Sequence, residues 1–506
     1  GNTAVGFEAL NAEDDGDQNT AIGYQTLTDQ TGTTGTVGNT ALGYKAGKGV
    51  VKGTRNTFIG TESGLVASAS SAIDNVGVGA ISLKAMVSGS SNTAVGTWAA
   101  QQMVNASKTV AIGYYTLGNA LTSTDIDGSV AIGYTSQAEN RTGQGLTSVG
   151  FETLLSDVNG DFSTAIGYQA LKTQNGINGT VANTAVGHHA LTRLTTGTMN
   201  TAVGQASQDY NRTGVNNTSV GKESLSQLGH DDSDNNTAVG FQAMRSAGTP
   251  NNNDAAQNVA VGSKALTAIL DGDNNVAVGY LAGAAITTGG SNVIIGTEAG
   301  DGFTANTTMT LIGHQAGTTI NSNSANGTVA VGYLSLGALT GGAENTALGS
   351  RSGDAATNAS GSVFLGFDAG GTVTTGNQNI AIGLDAMNGG ATTGDNNIAI
   401  GASAGDALTS AYQNVLIGRN AGGSINTGDY NTVVGDNALK SATNGQYNVA
   451  IGLNTGDSTT TGDRLTLIGT AAGRGVIDNS GQGTVAIGYA AYNPGTSGQG
   501  NIAIGY

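Results

Sequence analysis

The residues Asn2-Thr3-Ala4-Val5-Gly6 alternate a β-branched, a small and an aliphatic side chain, and the pattern returns along the chain to Asn501-Ile502-Ala503-Ile504-Gly505. Numbered from its asparagine, the unit has a β-branched residue at position 2 and Val, Ile or Leu at position 4 in all 29 copies. A period of two predicts a short strand with both side chains on one face, packed against the coils above and below. Val5, Ile22, Ile112, Ile166 and Ile451 are therefore expected in the core. Position 3 points the other way and is alanine in 19 copies. A strand apolar on both faces suits a parallel sheet, and its second face needs a cover, from the coil itself or from another chain.

The fifth position is glycine in every copy, including Gly6, Gly23, Gly43, Gly150, Gly296 and Gly452. It marks a corner with positive φ or a close backbone approach. Of the 28 intervals between these glycines, 19 are 17 residues and the others 18 to 22. A fixed period with small insertions is the mark of a solenoid. The expected fold is an all-β, parallel β-solenoid of about 29 coils, one continuous array over residues 1–506 with no separate cap, stalk or anchor domain. Both ends fall inside repeats, as in a fragment, a processed product or a chain whose ends meet others.

Positions 3 and 9 trade volume. Phe58, Ile294, Leu311, Phe364, Leu416 and Leu467 at position 3 accompany Gly64, Gly300, Gly317, Gly370, Gly422 and Gly473 at position 9, whereas alanine accompanies Leu10, Leu27, Leu171, Leu191 or Leu266. Close-packed interiors feel single methylenes, so the two positions share a pocket. Position 8 is Ala, Ser or Thr throughout, which fits a tight second strand. Asparagine opens 20 of the 29 copies and predicts a stacked ladder that satisfies backbone groups coil after coil.

Position 6 is Phe or Tyr in 13 copies, including Tyr24, Tyr44, Tyr114, Tyr134, Tyr168 and Tyr333, but Lys222, Arg419 and Asp436 also stand there, so the row is at least partly exposed. It either faces a ligand such as a glycan or stabilises neighbouring coils by stacking; stacking is the favoured reading. The rest of each unit is turn-forming, as in Thr392-Thr393-Gly394-Asp395-Asn396. Both prolines, Pro250 and Pro494, lie in such loops, which are the natural recognition surface of a regular scaffold.

Composition narrows the possibilities. Charged residues make up only 10% of the chain and 84 residues are glycine, yet 38% are hydrophobic and regularly placed, which argues for order. A net charge of −17 disfavours nucleic acid and anionic membranes as partners. No cysteine is present, so disulfides and thiolate metal sites are excluded. No apolar run approaches a membrane span, so no membrane insertion of this segment is expected.

Chemistry is sparse. His188, His189, His230 and His314 lack a metal-binding spacing; His188 and His314 fill the variable sixth position. The acidic loops Asp14-Asp15 with Asp17, Asp125 with Asp127, Asp231-Asp232 with Asp234, and Asp271 with Asp273 could offer oxygens to calcium. The nonapeptide of calcium-binding β-rolls is absent, and solvated turns with no cofactor are favoured. No nucleophile elbow or phosphate-binding loop occurs, so no enzyme is expected. Thr147, Thr164, Thr184, Thr201, Thr218 and Thr237 align at position 2, but aliphatic residues at position 4 favour burial over ice binding.

The units Asn448-Val449-Ala450-Ile451-Gly452, Ser129-Val130-Ala131-Ile132-Gly133 and Thr484-Val485-Ala486-Ile487-Gly488 resemble the head repeats of YadA-type trimeric autotransporter adhesins. Units such as Asn19 to Leu27 and Ser163 to Leu171 resemble repeats of bacteriophage tail fibres. The resemblance spans essentially the whole chain, although the adhesin repeat is shorter than 17 residues. It implies a left-handed β-roll, a homotrimer and adhesion to a host-surface protein or glycan. The expected role is a structural and adhesive fibre, extracellular, on a cell surface or virion. The alternatives are a glycan- or calcium-binding module and a self-assembling filament subunit.

Overall fold

The computed structural model describes every residue except 32–34, 68–69, 121–125, 176–177, 228–232, 247, 249–252, 323, 475–480 and 493–497. His230, Pro250, Pro494, Asp125, Asp231 and Asp232 lie outside the described residues. The protein divides into two compact units, Gly1–Gln257 and Asn258–Tyr506. Each is a parallel β-solenoid, and no α-helix occurs among the described residues.

Every repeat contributes one three-residue strand at positions 2 to 4. The first unit has 14, from Thr3–Val5 to Thr237–Val239, and the second 15, from Val259–Val261 to Ile502–Ile504. Within each unit the strand of one coil pairs in parallel, position for position, with that of the next. Thr147, Ser148 and Val149, for example, face Thr164, Ala165 and Ile166. Inside a unit the insertions leave this register intact: across the 20-residue step, Thr20 still faces Thr40.

The alternation is inverted relative to expectation. Position 3 points into the coil: Ala21, Ala41, Ala94, Ala165 and Ala381 are fully buried. Positions 2 and 4 point outward, and the five residues expected in the core, Val5, Ile22, Ile112, Ile166 and Ile451, are 36% to 57% exposed. The cause is the narrow interior of a 17-residue coil. One inward strand position must share it with position 9 and with a third row at position 12, formed by Val50, Met86, Met103, Leu194, Ile269, Ile286, Phe303, Leu339 and Ile425. Two branched rows at positions 2 and 4 would overfill that space.

Positions 3 and 9 do share a pocket, and the pocket spans two coils. A Cβ added to Gly473 would clash with the Leu467 side chain of its own coil. The same bulky residues also reach the glycine at position 9 of the preceding coil. A Cβ at Gly47, Gly283, Gly300, Gly353, Gly405 or Gly456 would lie 2.5–3.2 Å from Phe58, Ile294, Leu311, Phe364, Leu416 or Leu467, respectively. Each of these bulky side chains except Ile294, which stays 3.6 Å from a Cβ at Gly300, therefore crowds two glycines.

Among the described residues no second strand forms at positions 6 to 9. Positions 6 to 9 form successive turns, in which non-glycine residues at positions 7 and 9 adopt positive φ, as do Glu8 (54°), Leu10 (50°), Gln169 (56°) and Leu171 (51°). The small residue at position 8, such as Ala46, Ser63 or Ala170, is buried beneath them. The corner glycines meet both halves of the expectation. Gly43 and Gly452 have φ of 135°, and a Cβ there would stand 2.6 or 2.7 Å from carbonyl oxygens of Gly60 or Gly469 in the next coil.

The asparagine ladder is present and buried. Asn414 Oδ1 accepts the Asn431 N–H at 2.9 Å, while Asn414 Nδ2 donates to the Gly428 carbonyl at 2.9 Å.

Candidate functional site

Within each unit the outward side of the strands is an extended surface. Its rows at positions 2 and 4 contain no charged residue in any of the 29 copies, and Leu42, Val220, Ile295, Leu348, Leu365 and Ile417 are exposed along with the residues named above. Position 6 continues this face past the corner glycine.

The position-6 aromatics form columns. Phe7, Tyr24 and Tyr44 stack at centroid spacings of 5.3 and 5.4 Å. Tyr114, Tyr134, Phe151, Tyr168 and His188 stack at 5.1 to 5.2 Å with interplanar angles of 6° to 13°. Tyr333 stacks on His314 at 5.6 Å. Near-parallel rings at this spacing are offset-stacked. Each inner ring offers its faces to its neighbours, leaving mainly edges and hydroxyls toward solvent. The six tyrosines singled out in the sequence thus hold coil to coil while remaining 40% to 50% exposed.

Three further aromatic contacts were not apparent from the repeat. Tyr430 and Tyr447 stack at 5.0 Å on the loop side, with Tyr412 edge-on to Tyr430 at 5.2 Å. His189 packs against His188 at 4.2 Å; burial, then the His188 charge, lower the His189 pKa below the usual histidine value.

Position 7 carries polar clamps between coils. The amides of Gln25, Gln169, Gln242 and Gln315 donate to the carboxylates of Glu8, Glu152, Glu223 and Glu298 one coil earlier, at 2.6 to 2.8 Å. Arg351 pairs with Asp368, its Nε 2.6 Å from Oδ1.

Many loop carboxylates serve the backbone. Asp127, Asp161, Asp429 and Asp463 accept the N–H groups of Ser107, Gln144, Tyr412 and Gln446 in the preceding coil, at 2.6 to 3.0 Å. Asp157 is buried in the interior row, where it accepts from the Gly160 N–H at 2.9 Å and from Gln174 at 2.7 Å. Burial raises its pKa to about 6, against the opposing effect of those donors. Among the described residues, no group of three or more His, Asp or Glu is placed to hold a metal ion.

Surface depressions occur among the described residues. An apolar groove of about 450 Å³ lies among Leu65, Val66, Val87 and Val104. A pocket of about 180 Å³ is lined by Asp209, Tyr210, Glu223 and Arg245, and one of about 200 Å³ by Ser403, Asp406, Asn420, Gly423, Ser424 and Lys440.

Compared with protein-family models and with curated proteins, the sequence matches none.

Proposed function

We propose that this chain is a structural and adhesive fibre segment whose strand face docks on copies of itself, most simply as a homotrimer. The observation that carries the reading is the outward position-4 row, aliphatic in every coil and exposed at Ile22, Leu42, Ile112, Ile166, Ile295, Leu365 and Ile451. Soluble monomers rarely expose contiguous apolar patches beyond a few hundred Å², and this row repeats at every strand spacing of about 4.8 Å. A second copy has the same spacing, so its row can meet this one coil by coil. The three-chain arrangement follows the resemblance to adhesin head repeats.

In this reading the solenoid is a non-enzymatic spacer outside the cell, on a cell surface or virion. It is not inserted in a membrane, does not bind nucleic acid and needs no cofactor. The loops between strands would meet a host-surface protein or glycan. Placing three glutamates in one stretch of the row tests the docking face: Val149→Glu, Ile166→Glu and Val186→Glu together should shift the protein to a single-chain species on size-exclusion chromatography with light scattering, with an unchanged far-ultraviolet spectrum. An unchanged mass would refute the assignment of this face.

A further inference from the structure

Position 10 carries Asp406, Gly423 and Lys440 in three consecutive coils. The missing side chain of Gly423 opens a cavity of about 200 Å³ between a carboxylate and an ammonium group, completed by Ser403, Asn420 and Ser424. Its walls are held firmly. Gly423 N–H donates to the Asn420 carbonyl at 3.1 Å, and Ser424 N–H to the Lys440 carbonyl at 3.0 Å. Asn420 Nδ2 donates to Asn437 Oδ1 at 3.0 Å. Among the described residues, the Ser403 and Ser424 hydroxyls and the Lys440 ammonium have no hydrogen-bond partner.

The lining selects a chemical class. Apart from the Lys440 stem it contains no sizeable apolar side chain, so an apolar ligand gains little. An anion would face Asp406 and a cation would face Lys440, which disfavours either alone. The notch presents donors from Lys440 and the serine hydroxyls and an acceptor from Asp406, whose carboxylate also accepts the Asn388 N–H, a set that hydroxyls, each able to donate and accept, can meet. The cavity has room for one six-membered ring.

We propose that the Gly423 notch binds one neutral hexose unit of a glycan. The proposal rests on the attachment role proposed above and names its ligand; it uses the segment after the corner glycine, away from the rows at positions 2 and 4.

Isothermal titration calorimetry of the full chain with glucose, galactose, mannose and N-acetylglucosamine tests the proposal. At least one sugar should bind, and Gly423→Leu should weaken that binding at least tenfold. Gly423 is not in the left-handed region, and a Cβ there comes no closer than 3.3 Å to the Asn420 carbonyl oxygen, so the added side chain fills the notch. Asp406→Asn and Lys440→Met give the same readout without altering the glycine, with weakening expected in both. Absence of binding to all four sugars, or binding unchanged in all three variants, would overturn the proposal. The solution mass, measured separately, decides the assembly reading whichever result is obtained.

Discussion

The buried amide of Gln137 donates to the hydroxyl of Ser148, in the next coil, at 2.8 Å. Gln208 and Ser219 repeat the arrangement at 3.0 Å. These are the only two copies with serine at position 3 and the only two coils with glutamine at position 9. Polar and apolar partners therefore match across coils, as volume does. Ser148→Ala should cost about 1–3 kcal/mol, because it leaves a buried amide donor short of a partner. The double change with Gln137→Leu should recover most of that loss in denaturant unfolding; losses that simply add would show that the pair is uncoupled.

Phe58 tests the volume rule. Phe58→Ala should destabilise by about 3–5 kcal/mol, and Gly64→Leu alone should also destabilise, because the ring occupies that space. Combined, they recreate the alanine–leucine pairing of neighbouring coils, such as Ala111 with Leu117. The melting temperature of the double variant should exceed the value expected from adding the two single losses. Leucine is sterically acceptable at this corner, since Leu117 has φ 51° where Gly64 has 61°.

Gly150 has φ 143° and packs against the Gly167 carbonyl, whereas Lys222 is exposed. Gly150→Val should lower the melting temperature by several degrees, since strain and a backbone clash act together. Lys222→Met should leave it nearly unchanged. Equal effects in calorimetry would contradict the corner assignment.

Asp157 makes stability depend on pH. Its folded pKa of about 6 lies above the ordinary 3.8, so the folded state binds the proton more tightly than the unfolded state. This group's contribution to stability therefore falls as pH rises from about 4 to about 6 and is flat above that, a total change of about 3 kcal/mol. Asp157→Asn should remove this slope from chemical unfolding measured across that range. A slope unaffected by the substitution would rule out Asp157 as its source.

The repeat, the corner glycines, the asparagine ladder and the pocket shared by positions 3 and 9 were legible because each recurs at one position. Which strand face lies inside was not. Ala165 and Ile166 are both apolar, and with a period of two a one-residue change of phase exchanges every inward and outward side chain. The deciding fact is interior width, which the pattern does not state. The row containing Ile286 and Phe303 was hidden among threonines and glycines that read as turn. The role of Gly47 becomes clear only against Phe58 of the next coil, because the repeat is a unit of sequence whereas the pocket is a unit of stacking. The notch at Gly423 was invisible for the same reason: its walls come from three coils.

The face that was expected inside is the one exposed on the single chain, and self-association would cover it. Sedimentation equilibrium of the full chain measures this directly. The predicted result is a species three times the 49.8 kDa chain mass, persisting on dilution to low micromolar concentration. A single 49.8 kDa species across that range would contradict the claim that the outward rows are a self-association face.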